Sequence, residues 1–469
     1  MKKYLIHICF LSAGLLFSTS CSKEFLNRVP YDSAPKTSSL NSVSDLLTAL
    51  NGMYSGMKSV NLFGRTIPIL GDLLGGNIYI STKNSGRYIP YNTLTYTVAD
   101  GDASGLWIDA YSVILRANNI INANVPSSPD VDNIKGQAKA VRALMYFILV
   151  THFAQPYVVN PSGQGVPLVL QYDLFLKPAR DKISDVYNQI LKDLIDGYNT
   201  MNALNSNSSY MNKWAARALQ AKVYLYMGDY NNAGIAAQDV VSNSGYKMVT
   251  NAAYLGYWAN PNPRNDKLET LFEVSFDQVY NLATNSLAFF YDQTGYGDAL
   301  CTPELYALYT PTDVRRQLII KGSPVRGANA LVVNKYPNKP SNNDDDTKVI
   351  RFTDVILILA EANARTGNDA AALSWLNMVA TDRDPSFAGY TDTGAALIND
   401  ILTERRKELA FEGDYYYTNF YRLNLDITNR SNAFPASARQ FLASNPRRIL
   451  PIPQGEMDNN PNIQQNPGY

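Results

Sequence analysis

With 469 residues the chain runs well past the roughly 250 to 300 at which a single hydrophobic core stops growing, so several domains or a repeat array are expected. Lys plus Arg and Asp plus Glu are balanced at 41 each and only 17% of residues are charged, which leaves no basic field to gather the phosphates of a nucleic acid. The 46% of hydrophobic residues, with 32 Tyr, 17 Phe and 4 Trp, exclude a disordered chain.

Residues 1–20 read as a processing signal: Lys2 and Lys3, a mostly apolar run from Tyr4 to Phe17, then Ser18, Thr19 and Ser20 before Cys21. The run is shorter than the roughly 20 apolar residues of a membrane-spanning helix. Its order resembles a bacterial lipoprotein signal, with Cys21 as the lipidated first residue of the mature chain, although Ser18 stands where such signals carry an aliphatic residue. An ordinary signal peptide cut near Ser20 is the alternative. Either cut keeps the chain close to neutral. Cleavage and lipidation together leave Cys301 as the free thiol and His152 as the one imidazole, so an intramolecular disulfide and a zinc site with several His ligands are excluded.

After a polar tether reaching to about residue 40, Val43, Leu46, Leu47, Leu50, Tyr54 and Met57 fall on one helix face. Residues 64–100, rich in Gly, Tyr, Thr and Asn, show no helical period and are expected to form a surface excursion. Trp107, Ala110, Ile114, Ala117 and Ile121 predict a second helix, stopped by Pro126 and Pro129. A third spans about 133–153, where Ile134, Ala138, Val141, Met145, Ile148 and His152 share a stripe. That stripe makes His152 a packed core-edge residue rather than a partner for Cys301.

Ala221, Gly228, Ala233, Ala237 and Val240 carry the small-residue and turn spacing of a tetratricopeptide hairpin, and Ala360, Gly367, Ala372, Leu376 and Val379 repeat it at a constant offset. Residues 133–153 with 183–198, and 397–412 with 415–423, are looser candidates for further hairpins. Between the two clear repeats, about 245–350 is aperiodic and too long for a connector, so it is expected to form a lobe together with the excursion at 64–100. Its acidic run, Asn342 to Asp346, lacks the spaced ligands and central Gly of a calcium loop and reads as solvated.

Sugars stack apolar CH faces on aromatic rings and pair their hydroxyls with amides and charged groups. Tyr79, Tyr88 and Tyr91 with Asn77, Arg87 and Asn92 have that composition. So do Tyr254, Tyr257 and Trp258 with Asn251 and Asn260, and Tyr291 and Tyr296 with Asp292. Trp258 is the one Trp outside the predicted helices, and Gly256 and Pro261 predict a loop that displays it. Trp107, Trp214 and Trp375 read as core. Glu404 and Glu408 lie one helical turn apart among Arg405, Arg406 and Lys407, a pattern read as an ion-pair network rather than a general acid and base.

The segment from Ile401 through Glu404-Arg405-Arg406-Lys407-Glu408-Leu409-Ala410-Phe411-Glu412-Gly413, then Leu450-Pro451-Ile452-Pro453, then Asn460-Pro461 to Gln465-Asn466-Pro467-Gly468-Tyr469, resembles the SusD-like (RagB/SusD) family of outer-membrane nutrient-uptake lipoproteins. Asp414 to Asn419 depart from it, since many relatives have Arg-Trp-Phe-Asp-Leu-Arg-Arg there. The resemblance implies a mainly α fold: a tetratricopeptide-like helical-hairpin scaffold at about 41–245 and 350–425, a long irregular inserted lobe at about 245–350 and a tail at 426–469. It further implies a cell-surface lipoprotein that captures a glycan or oligosaccharide for a TonB-dependent, SusC-like outer-membrane transporter and does not cleave it. No catalytic residue, metal or cofactor is expected. The rival readings are an α-helical glycan-degrading enzyme, which needs two carboxylates about 5 to 10 Å apart across a cleft, and a protein-binding scaffold without exposed aromatics.

Overall fold

The computed structural model describes residues 40–173, 175–338 and 345–469. The expected signal, Cys21 and the tether up to residue 39 lie outside the described residues, as do Asn342 to Asp344. Most of the long helices start where a side chain replaces a missing backbone partner. Ser42 and Asp45 form a capping box on α1 (Val43–Met57). The next helices are α2 (Thr66–Gly75), α3 (Gly101–Ile121), capped by Asp100, and α4 (Pro129–Phe153), capped by Ser128. They are followed by α5 (Ile183–Thr200), α6 (Lys213–Met227), α7 (Tyr230–Asn243) and α8 (Asn251–Ala259). After the lobe come α9 (Phe352–Arg365), α10 (Asp369–Arg383) and α11 (Gly394–Glu408).

The two expected repeats are α6–α7 and α9–α10. Gly228 and Gly367 both take the left-handed conformation that ends the first helix, and the next residue, Asp229 or Asn368, caps the second. Ala221, Ala233 and Ala237 in one and Ala360 and Ala372 in the other are fully buried, so the helices approach closely. The hairpins also pack on each other through α7 and α9. In sequence they are separated by the lobe, whose ends are drawn together by strands β2 (Thr270–Val274) and β6 (Thr347–Arg351). These pair antiparallel with Thr270 opposite Arg351 and Val274 opposite Thr347. The insertion therefore leaves and returns at one point, and the stack runs on through it. Residues 133–153 and 183–198 do form a packed pair, α4–α5, whereas the stretch after α11 holds only a π-helical turn at Tyr417–Tyr421.

The excursion at 64–100 is not purely surface. In α2 every residue but Ile67 is buried, and a helix enclosed on all sides has no polar face to give it a period. It lies so close to the turn after α11 that a side chain at Gly71 or Gly413 would collide with backbone of the other segment. Two further strand pairs tie the lobe together: β1 (Ile78–Ile80) with β3 (Ala299–Cys301), and β4 (Ile319–Ser323) with β5 (Gly327–Val333). One apolar cluster runs without a break from α1 through the repeats into the lobe.

His152 is buried, its Nδ1 donating 2.7 Å to the Ile148 carbonyl and its ring 4.2 Å from that of Tyr417, while the Cys301 thiol donates elsewhere, to the Thr302 carbonyl. Burial pushes the imidazole down to about 4 against the pull of that hydrogen bond. Because the folded chain keeps it neutral, stability falls as pH drops from about 6.5 towards 4, by as much as about 3 kcal/mol. Urea unfolding of a His152→Gln variant is expected to lack that limb; an unchanged pH profile would refute the assignment.

Candidate functional site

Most of the aromatic residues expected to display themselves are buried, because they found packing or hydrogen-bond partners, several of them distant in sequence. Tyr88 is 1% exposed, its hydroxyl accepting from Arg65 Nε at 3.0 Å and lying 2.8 Å from Thr66 Oγ1, with burial pushing it up to about 12. Asn77 is fully buried, bridging Asp72 and Arg406. Tyr79 is half-buried on β1 against Leu300, Ala330 and Val332. Tyr91 donates to Asp100, and Asn92 accepts from the Ile80 backbone. Tyr291 is buried and stacks on Tyr336 with the rings 7° from parallel.

Trp258 is corrected most sharply, because the expected loop is the helix α8 and the indole is 3% exposed. It meets Tyr254, Tyr257 and Tyr336 edge-on, with the Lys335 ammonium 4.1 Å above its ring. Tyr257 is buried beside it, 2.8 Å from Thr270 Oγ1. The acidic run is also corrected where it is described: Asp345 and Asp346 are buried, with Asp346 Oδ1 accepting from the Phe276 backbone.

Two of the expected residues, the exposed Tyr296 and the half-buried Arg87, stay together at the surface. Tyr296 is 39% exposed, and the Arg87 guanidinium lies 4.2 Å from the centre of its ring. Arg87 Nη2 donates 3.1 Å to Asn285 Oδ1, whose own carbonyl accepts from Arg65. The loop bearing Tyr296 is fixed by Arg326, which donates to the carbonyls of Tyr296 and Gly297 at 3.1 and 2.9 Å. Nearby, burial and then the Asp100 charge push the Asp102 carboxyl up to about 6, against Arg65 and Arg87. The result is a rigid ring, a cation and an amide on one rim of the lobe.

A cavity of about 490 Å³ that sequence reasoning missed lies between the end of α1, the loop at 207–210 and the turn at 275–280. Its rings, Tyr54, Tyr210, Phe272 and Tyr280, and its polar groups, including Asn51, Lys58 and Asn207, come from segments distant in sequence, so no local pattern announces it.

Glu404 and Glu408 are fully buried in ion pairs. Arg315 reaches both, at 2.6 and 3.2 Å, and Arg351 and Arg383 hold Glu408 at 3.0 and 3.1 Å. Burial opposes ionisation, but Arg383, Arg351 and Arg315 overcome it and keep Glu408 well below the usual carboxylate range. Arg315 and Lys407 likewise lower Glu404 against its burial. Neither carboxylate faces a cleft. Among the described residues no His, Cys, Asp or Glu side chains cluster to hold a metal ion, and no helix is long and apolar enough to cross a membrane.

Residues 322–469 match the family model described as "SusD family", and residues 24–225 match one described as "Starch-binding associating with outer membrane". A SusD-like protein of Bacteroides ovatus is 25% identical over 90% of this chain and 82% of its own length. The solved structure of a putative sugar-binding protein from Bacteroides vulgatus is 30% identical, with 92% of this chain and 99% of that one aligned at a TM-score of 0.83. A laminarin-binding SusD-like protein, 24% identical, shares the fold over 92% of this chain and all of its own, with a TM-score of 0.74.

Proposed function

Because the chain belongs to the SusD family, we propose that it captures a glycan or oligosaccharide at the outer membrane and delivers it to a TonB-dependent, SusC-like transporter. The observation that carries this reading is the exposed Tyr296 ring backed by Arg87 and flanked by Asn285, which offers a stacking face and hydroxyl partners in one place. Laminarin binding by a protein of the same fold supports the ligand class. The commitment of Glu404 and Glu408 to buried ion pairs supports capture without cleavage. Titrating the mature chain, residues 21–469 with Cys21→Ser, against a polysaccharide panel tests it. Tyr296→Ala is expected to weaken the bound glycan by about 1 to 3 kcal/mol at an unchanged melting temperature. Unaltered affinity would remove the platform from the site.

Lipidation of Cys21 holds the protein on the cell surface in this reading, each buried methylene of the acyl chains contributing about 0.8 kcal/mol. Cys21→Ala is expected to leave the membrane fraction in cells that lack the partner transporter. Persistence there would sink the anchor.

A further inference from the structure

We propose that the cavity between α1 and the 275–280 turn is a saccharide site selective for sugars bearing an anionic group, a carboxylate or a sulfate; this rests on the carbohydrate reading above and adds a ligand class to it. The volume, about 490 Å³, falls within the roughly 300 to 1,000 Å³ of ordinary ligand sites. Its aromatic groups are set in place before any ligand arrives. Tyr210 stands edge-on to Tyr54 with ring centres 5.3 Å apart and donates 3.2 Å to Asn51 Oδ1. Tyr54 is itself fixed, accepting from the Met211 backbone and donating to Gln137, each at 2.9 Å. Tyr280 is 65% exposed, yet its loop is held by Asp277 Oδ1, which accepts the backbone N–H groups of Val279 and Tyr280 at 2.7 Å. Stacking surfaces that need no reordering lower the entropic cost of binding.

The charge pattern gives the selectivity. Two carboxylates line the cavity. Glu273 is buried and answered by Lys348 at 2.5 Å and by the Ser208 hydroxyl. Asp277 is engaged with the turn it shapes, whose backbone N–H groups, with a smaller contribution from Lys58, hold its carboxyl below the ordinary value. The cation is Lys58, whose ammonium lies 5.5 Å from the Tyr280 ring centre and 6.0 Å from that of Phe276; among the described residues no carboxylate comes within ion-pair distance of it, although its charge reaches Asp277. An ammonium held over rings, with amides and hydroxyls around it, is completed by an anion on the bound sugar. Lys acts as a point charge and so accepts either carboxylate or sulfate.

The mature chain, with Cys21→Ser, is titrated with oligouronates and sulfated oligosaccharides, each beside its carboxyl-reduced or desulfated counterpart, and melting temperatures serve as the folding control. The expected result is binding of an anionic member about ten-fold or more tighter than its neutral form, a preference that shrinks with salt. Lys58→Met is expected to erase the preference while sparing the neutral form, Lys58→Arg to keep it, and Tyr280→Ala to weaken both. The preference of the anion for one source separates uronates from sulfated sugars. No preference in the parent chain, or one untouched by Lys58→Met, overturns the proposal. If glycans bind and only Tyr296→Ala affects them, the cavity is not the site and the capture function stands. If no glycan binds at all, both readings fall together.

Discussion

Replacing Arg351 with Met is expected to destabilise the chain by about 3 to 5 kcal/mol, since losing one partner leaves buried charges without compensation. The Arg351 guanidinium reaches Glu269 at 2.8 Å, Glu408 at 3.0 Å and Glu412 at 2.8 Å, and also donates to the Glu408 carbonyl. Glu269 and Glu408 are wholly shielded from solvent. Met fills the space of the aliphatic stem, so the loss reports charge rather than a void. Urea unfolding measures it, and a change below about 1 kcal/mol would mean that the remaining cations Arg315, Arg383 and Lys335 absorb the deficit. The same cluster sets an acid limit. Glu404 and Glu408 are depressed in the folded state, so their stabilisation is present above the unfolded carboxylate value of about 4.3 and is lost as pH falls below it.

Trp258→Ala is expected to cost about 3 to 5 kcal/mol of stability while leaving glycan affinity unchanged. The indole fills the space between α8 and the strand region, ringed by Tyr254, Tyr257 and Tyr336 and overlain by Lys335 and Arg351. Removing it leaves a cavity and strips two buried cations of their π partner. Weakened binding at an unshifted melting temperature would return Trp258 to the ligand surface.

How much of this the sequence carried depends on the reach of each signal. The hairpins were legible because helix packing and the Gly-Asp or Gly-Asn turn are written within about thirty residues, as at Ala221 to Val240. The ion network could be read at Glu404 and Glu408 for the same reason, though not its partners Arg315, Arg351 and Arg383. Helix α2 was hidden by its own burial. The ligand surface was the hardest part: Tyr88 and Tyr296 look alike in sequence, and only Arg65, Thr66 and Phe290 closing over the first decide between them. Tyr210, Tyr280 and Lys58 carried no signal at all, since the folded chain assembles them.

The unbroken apolar cluster and the charged knot at Arg351 both cross the junction between the repeats and the lobe. A hinge there would have to pull shielded ions apart and wet the core around them, so the two parts move as one piece. Any opening and closing over a ligand at the Tyr296 rim would then have to move the repeats and the lobe together.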